Sequence, residues 1–320
     1  TNYRNVRYKI PTLNLDGTVE ASPVEGEVWY DSGKFYLGTS QSFPGAWSSG
    51  GNMVTGRTYL AGCGTQSAAL SISGHIGGVG ETAATGEYNG TSWSSGGNVG
   101  TARRHLAGTG TQTAGLCCGG YPGGASDTEE YNGTSWSAGG TMLTGRNELS
   151  AAGTQTAALN MGGNGPSNVT EEYDGTSWTS GGNLTTARFG GAGAGTQSAA
   201  LFAVGSTGSY SDVSEEYNGT AWSSGGTAIL AVTTTYGAGT QTAGLVMGGY
   251  DGSVSDVTQE YDGTAWSAGG DLATARSGHG AGGTTTAGLC FGGNSTSTST
   301  EEYTGSTGSY DELFSGVGGL

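Results

Sequence analysis

Lysine is nearly absent from this 320-residue chain: only Lys9 and Lys34 occur, both before residue 35. With 10 basic residues against 26 acidic ones the formal charge is −16, a field that repels phosphate and excludes a nucleic-acid reader. Charged residues of either sign are only 11% of the chain, too few for a solvated disordered polymer. No apolar run reaches about 18 residues, so no membrane span is expected. No secretory hydrophobic segment is visible, although a removed leader would leave no trace. Cys63, Cys117, Cys118 and Cys290 lack metal-ligand spacing and suggest no disulfide framework, so buried thiols are expected. His75, His105 and His279 have no nucleophile or carboxylate marked out as a partner. No catalytic constellation, metal site or cofactor is therefore expected.

What is abundant is glycine, at 67 positions and without the period of collagen. Evenly spread tryptophan frames it. Trp47, Trp93, Trp136, Trp178, Trp222 and Trp266 lie 46, 43, 42, 44 and 44 residues apart. A tyrosine stands five residues before each of the last five, at Tyr88, Tyr131, Tyr173, Tyr217 and Tyr261, while Tyr303 has no tryptophan after it. Ten residues after each tryptophan comes Arg57, Arg103, Arg146, Arg188 or Arg276, with Val232 the exception. Three markers at fixed spacing define six copies of one unit.

Each copy reads as four short strands. Asn-Gly or Asp-Gly at 89–90, 132–133, 174–175, 218–219 and 262–263 predicts two-residue hairpins with both residues at positive φ. Helical periodicity is absent. The expectation is an all-β chain, a six-bladed β-propeller over 46–303 with a non-repeat N-terminal arm and hairpin. The sixth unit lacks a tryptophan strand, and residues 46–48 are an orphan one. Pairing them would close the ring; the alternative is an open ring finished by the residues after Tyr303.

The order of markers resembles the kelch repeat, with doublets at Gly119-Gly120, Gly162-Gly163, Gly248-Gly249 and Gly292-Gly293 that degrade to Ser73-Gly74 and Val204-Gly205. The wording EYNGTSWSSGGN, with its TAR and GTQTA companions, is similar to glycine/threonine-rich repeats of virion structural proteins in tailed phages. That resemblance implies a non-enzymatic protein of the virion, displayed on fibre, tail or capsid surface. A lectin-like extracellular module that binds glycan or protein is the alternative.

Between copies only one interval changes: from the second doublet residue to the tyrosine there are 14, 11, 10, 12, 12 and 10 residues. Length variation thus falls on the loop between second and third strands, on the face shared with the blade-to-blade links. The binding candidates there are His75, Tyr121, Pro122, Asp127, Asn164, Pro166, Tyr210, Asp212, Tyr250, Asp251 and Asp256. Tyrosine among Gly, Ser and Asn suits an adaptable binding surface, although unconstrained drift would vary the same loop.

A glutamate precedes every marker tyrosine: Glu87, Glu130, Glu172, Glu216, Glu260 and Glu302. Pairing with the repeated arginines is the expected role, with Val232 leaving one glutamate alone. A carboxylate ring for cations is the functional alternative.

Residues 1–45 stand outside the repeat. Tyr3, Arg4, Arg7, Tyr8 and Lys9 alternate apolar and basic character, with no acid before Asp16. This basic arm is the candidate attachment region, joining other virion proteins or further copies of the chain by strand addition; a loosely ordered terminus packed on its own blade is the alternative. Residues 25–38 read as a hairpin turning at Asp31-Ser32-Gly33, and Gly26-Glu27-Val28-Trp29-Tyr30 resembles segments of phage fibre and adaptor proteins. Residues 304–320 read as a tail, either a docking peptide or a plain terminus.

Overall fold

A computed structural model describes residues 28–31, 34–43, 45–122, 125–294, 296–305 and 307–315. Two compact units emerge, Gly45–Gly305 and the two chain ends, Thr1–Pro44 with Ser306–Leu320.

The larger unit is a six-bladed β-propeller, six antiparallel four-stranded sheets. Blade two shows the pattern: Ala107–Thr111, Ala114–Cys118, Thr128–Tyr131 and Trp136–Ala138, in order from the axis outward. In blade six the chain contributes Gly280–Gly283, Ala287–Phe291 and Thr300–Thr304, and Ala46–Ser49 is the fourth strand, with Trp47 opposite Tyr303. Second strands are apolar because blades cover both their faces; Leu116, Cys117 and Cys118 are fully buried. Innermost strands crowd the axis, and Gly62 has no room for a side chain, since a Cβ would lie 2.5 Å from the Ala281 carbonyl oxygen.

Every blade pairs its tyrosine directly with its tryptophan, at ring-centroid distances of 4.9–5.0 Å. Each such aromatic pair contributes about 0.5–1.5 kcal/mol beyond area burial. The same two residues join neighbouring blades. Each indole N–H donates to a third-strand hydroxyl of the preceding blade, as Trp93 does to Thr300 Oγ1 at 2.9 Å and Trp136 to Thr85 Oγ1 at 3.0 Å. Each tyrosine hydroxyl donates to a glutamate of the preceding blade, Tyr173 to Glu130 and Tyr303 to Glu260 at 2.6 Å. The turn glutamine adds a third tie. Gln155 Nε2 donates to the carbonyls of Gly115 and Tyr131 at 3.0 and 2.7 Å.

These contacts correct the expected ion pairs. Glu87, Glu130, Glu172, Glu216, Glu260 and Glu302 take the tyrosine hydroxyls of the next blade, not the arginines. The arginine partners lie one residue earlier: Arg103 with Glu129 at 2.7 Å, Arg146 with Glu171 at 3.0 Å, Arg188 with Glu215 at 2.9 Å, and Arg276 with Glu301. Adjacent strand residues point to opposite faces, so Glu129 and Glu130 meet different blades. Arg57 faces Gly86 and has no carboxylate. It donates instead to Ser73 and Ala84 carbonyls and Ser71 Oγ, and burial brings its guanidinium down to about 10. Blade five has Val232 with Gln259, so no acid is stranded there.

Each arginine also bonds two carbonyls, one at each stem of the variable loop. Arg103 Nη1 reaches Gly119 and Asp127 at 3.0 Å. Blade five, without the arginine, extends its own ladder instead: Ala243–Tyr250 and Val254–Tyr261 pair up to Tyr250 opposite Val254.

The outer hairpins also differ from expectation. Tyr131 opposes Trp136, leaving a four-residue loop, 132–135. Asn132 Oδ1 accepts the N–H groups of Thr134 and Ser135 at 3.0 and 2.9 Å, so only Gly133 needs a positive φ, 87°.

In the smaller unit Lys34–Phe43 is the central strand of three. Val28–Asp31 pairs with one edge, Asp31 opposite Lys34, and Thr307–Ser315 with the other. Most of the expected tail is therefore a strand. Tyr3, Arg4, Arg7, Tyr8 and Lys9 lie outside the described residues.

Replacing Arg188 by valine strands a buried carboxylate and should cost about 3–5 kcal/mol. Adding Glu215→Gln copies the Val232–Gln259 arrangement and should restore more than half of that loss in denaturant unfolding. Equal instability of single and double variants would contradict charge pairing as the cause.

Candidate functional site

The variable loops and the links share one face. The first residue of each loop pairs with the residue after the repeated arginine position: His75 with Thr58, Tyr121 with Arg104, Ser206 with Phe189 and Tyr250 with Thr233 as backbone bridges. Asn164 and Asn294 follow through N–H bonds to the Asn147 and Ser277 carbonyls, at 2.7 and 3.1 Å. One residue further on, a belt surrounds the channel mouth. Tyr59, His105, Glu148, Gly190, Thr234 and Gly278 all have left-handed backbone, φ 54–64°. Their backbones link blade to blade: His105 N–H to the Tyr59 carbonyl at 2.9 Å, Glu148 to His105 at 2.8 Å, Gly190 to Glu148 at 2.9 Å, Gly278 to Thr234 at 2.9 Å and Tyr59 to Gly278 at 2.6 Å. Between blades four and five the neighbouring Thr235 N–H makes the link, 3.3 Å from the Gly190 carbonyl.

Below this belt lies a central cavity of about 190 Å³ walled by the innermost strands, with Tyr236 the one aromatic residue in its wall. Tyr59 stacks on His105 at 4.1 Å, and His105 Nδ1 is 3.6 Å from Glu148 Oε1. Burial, with help from Arg104 and His75, lowers His105 to about 4, and burial raises the Glu148 carboxyl. His279 meets Tyr236 edge-on at 5.7 Å and is fully buried, with neither ring nitrogen hydrogen-bonded. Burial, then Arg276, lowers it to about 3. Blades one to three have Leu60, Leu106 and Leu149 at that place.

The predicted loop residues divide into two clusters and several separate positions. His75 and Tyr121 converge through Arg104, and Tyr210 meets Tyr250 edge-to-face at 6.1 Å. Asp127, Asp212 and Asp256 have exposed side chains and act at the loop stems through their carbonyls, which accept the N–H groups of Gly119, Ala228 and Leu272. Asn164 caps Gly165 and Asp251 caps Ser253, while Pro122 is exposed. Sequence reasoning passed over Arg104 and the belt. The signal for Arg104 was available, because it is the one arginine of the propeller outside the repeat register.

Among the described residues, the large hydrophobic side chains that remain exposed are Val54, Val79, Tyr121, Leu143, Tyr210, Ile229, Tyr250 and Val254. Every one is in a link or a variable loop, so all are on this face. The opposite face presents polar four-residue turns and the Gln turns. All four cysteines are free and buried. Among the described residues no group of three or more His, Cys, Asp or Glu side chains converges, and no helix is long and apolar enough to cross a membrane. No protein-family model and no curated protein matches the chain.

The two lowered histidines set a pH dependence. Both have folded values below the ordinary 6.5, so the unfolded chain takes up protons first. Their contribution is complete above about pH 6.5 and is lost as pH falls toward 4 and 3. Glu148, raised, works in the opposite sense. His279→Leu removes two unpartnered buried nitrogens and should gain about 1–2 kcal/mol at neutral pH. The melting temperature of the variant should also fall less between pH 7 and pH 5 than that of the unmodified protein. An unchanged pH slope would contradict this account of His279.

Proposed function

We propose that the chain is a non-enzymatic binding protein whose propeller meets its partner through the loop face. The observation that carries this reading is the segregation, among the described residues, of the exposed large hydrophobic side chains to the one face on which the six copies differ in sequence and length. A surface of that kind suits recognition. The marker order supports a kelch-type propeller. The repeat wording supports a place on a tailed-phage particle, on fibre, tail or capsid surface, with residues 1–45 attaching the propeller to other virion proteins or further copies. The partner in this reading is a host-surface protein or glycan. The exposed Tyr210–Tyr250 pair favours, as second reading, a lectin-like extracellular module.

Exchanging loops 121–128 and 250–256 for short turns should abolish binding to host cells while leaving a folded propeller, seen by cell-binding assay and circular dichroism. Undiminished binding would defeat the loop-face reading. Deleting residues 1–45 should leave host binding intact and prevent incorporation into particles, measured by mass spectrometry of purified virions. Normal incorporation would remove the attachment role.

A further inference from the structure

Arg104 has no counterpart in the ring. The other five propeller arginines are buried at the repeated position, and Arg104 is half-buried on the loop face between blades one and two. Its guanidinium lies 4.8 Å over the Tyr121 ring. Nη1 donates to Glu81 Oε1 at 2.8 Å and lies 3.4 Å from His75 Nδ1. Glu81 and His75 are held opposite each other on a two-strand hairpin within the blade-one loop. Arg104 Nε is buried and has no hydrogen-bond partner. Tyr121 remains 44% exposed, so ring surface not covered by the guanidinium stays open to solvent.

Charge narrows what could bind there. Arg104 and Glu81 neutralise each other, and the propeller has 19 acids against 6 arginines over 47–303, so an anion gains nothing from the surrounding field. Arg104 Nη1 and His75 Nδ1 both face Glu81 Oε1, so a cation approaching that carboxylate would meet a guanidinium beside it. What remains is a neutral group of planar donors and acceptors beside an open aromatic surface. Adjacent hydroxyls match guanidinium, carboxylate and imidazole edges, and the C–H face of a pyranose ring matches the exposed tyrosine. We propose that His75, Glu81, Arg104 and Tyr121 form a site for an uncharged saccharide, stacked on Tyr121 and hydrogen-bonded to Arg104 and Glu81. This assignment rests on the loop face being the recognition surface and names one chemistry for it.

The test uses the full chain on a glycan array, followed by calorimetry with uncharged oligosaccharides ending in galactose, glucose, mannose or rhamnose, and with sialylated and sulfated ones. At least one uncharged sugar should bind. Tyr121→Ala and Arg104→Met should each weaken it roughly tenfold or more with unchanged melting temperature, and Tyr121→Phe, which keeps the ring, should lose less. Binding of acidic sugars alone, of no sugar, or with indifference to both substitutions would overturn the site. Host binding that depends on the loops but is not inhibited by free sugars removes the saccharide and leaves the docking face. Host binding that survives the loop exchange removes the docking face itself.

Discussion

A buried guanidinium at the foot of five of the six variable loops is the interaction on which the rest depends. In four blades it bonds a carbonyl at each loop stem and a third-strand carboxylate. The loop above it can lengthen or change composition while the four strands below keep their register. Blade one shows how little of this is charge pairing: Arg57 makes the same two carbonyl bonds with only Ser71 Oγ in place of a carboxylate. Blade five shows what replaces the guanidinium, namely two more rungs of backbone ladder. Either device fixes the stems.

Ring closure rests on different residues. Tyrosine, tryptophan and glutamine each reach to the preceding blade, so every copy needs a neighbour before its buried polar atoms are satisfied. The last interface is made by strands far apart in sequence, Tyr88 reaching Glu302 and Trp93 reaching Thr300. Blade six has Thr285 where the other five have the glutamine, so the tie from blade six to blade five lacks those two amide bonds. Tyrosine and tryptophan contacts remain there.

The blade count and the apolar second strands were legible because tryptophan, tyrosine and arginine keep fixed spacing. The ion-pair partners were not. Two adjacent glutamates compete for that role in sequence, and the one present in all six copies was the natural choice. The better signal was variation: Glu129, Glu171, Glu215 and Glu301 occur with an arginine, whereas Val232 accompanies Gln259. Arg57 with Gly86 breaks even that rule. The Asn-Gly turns misled because the dipeptide signals a tight hairpin only when the asparagine side chain is idle, and here it binds two N–H groups. The belt escaped notice for another reason. It varies in residue type but never in spacing, so differences in loop length carry no trace of it.

That belt shows which side chains the fold holds at a cost. A left-handed backbone suits glycine, and Gly190 and Gly278 occupy two of the six positions. Tyr59, His105, Glu148 and Thr234 occupy the others, each carrying backbone strain of about 1–3 kcal/mol that glycine would largely avoid. The blade-to-blade N–H···O=C bonds fix the conformation whatever the side chain, so they explain the backbone and not the choice of residue. The His105 ring does have neighbours, Tyr59 stacked on it and Glu148 3.6 Å from Nδ1. Strain and chemical variety therefore coincide on the face that also carries the exposed apolar side chains, and packing of the ring below requires neither.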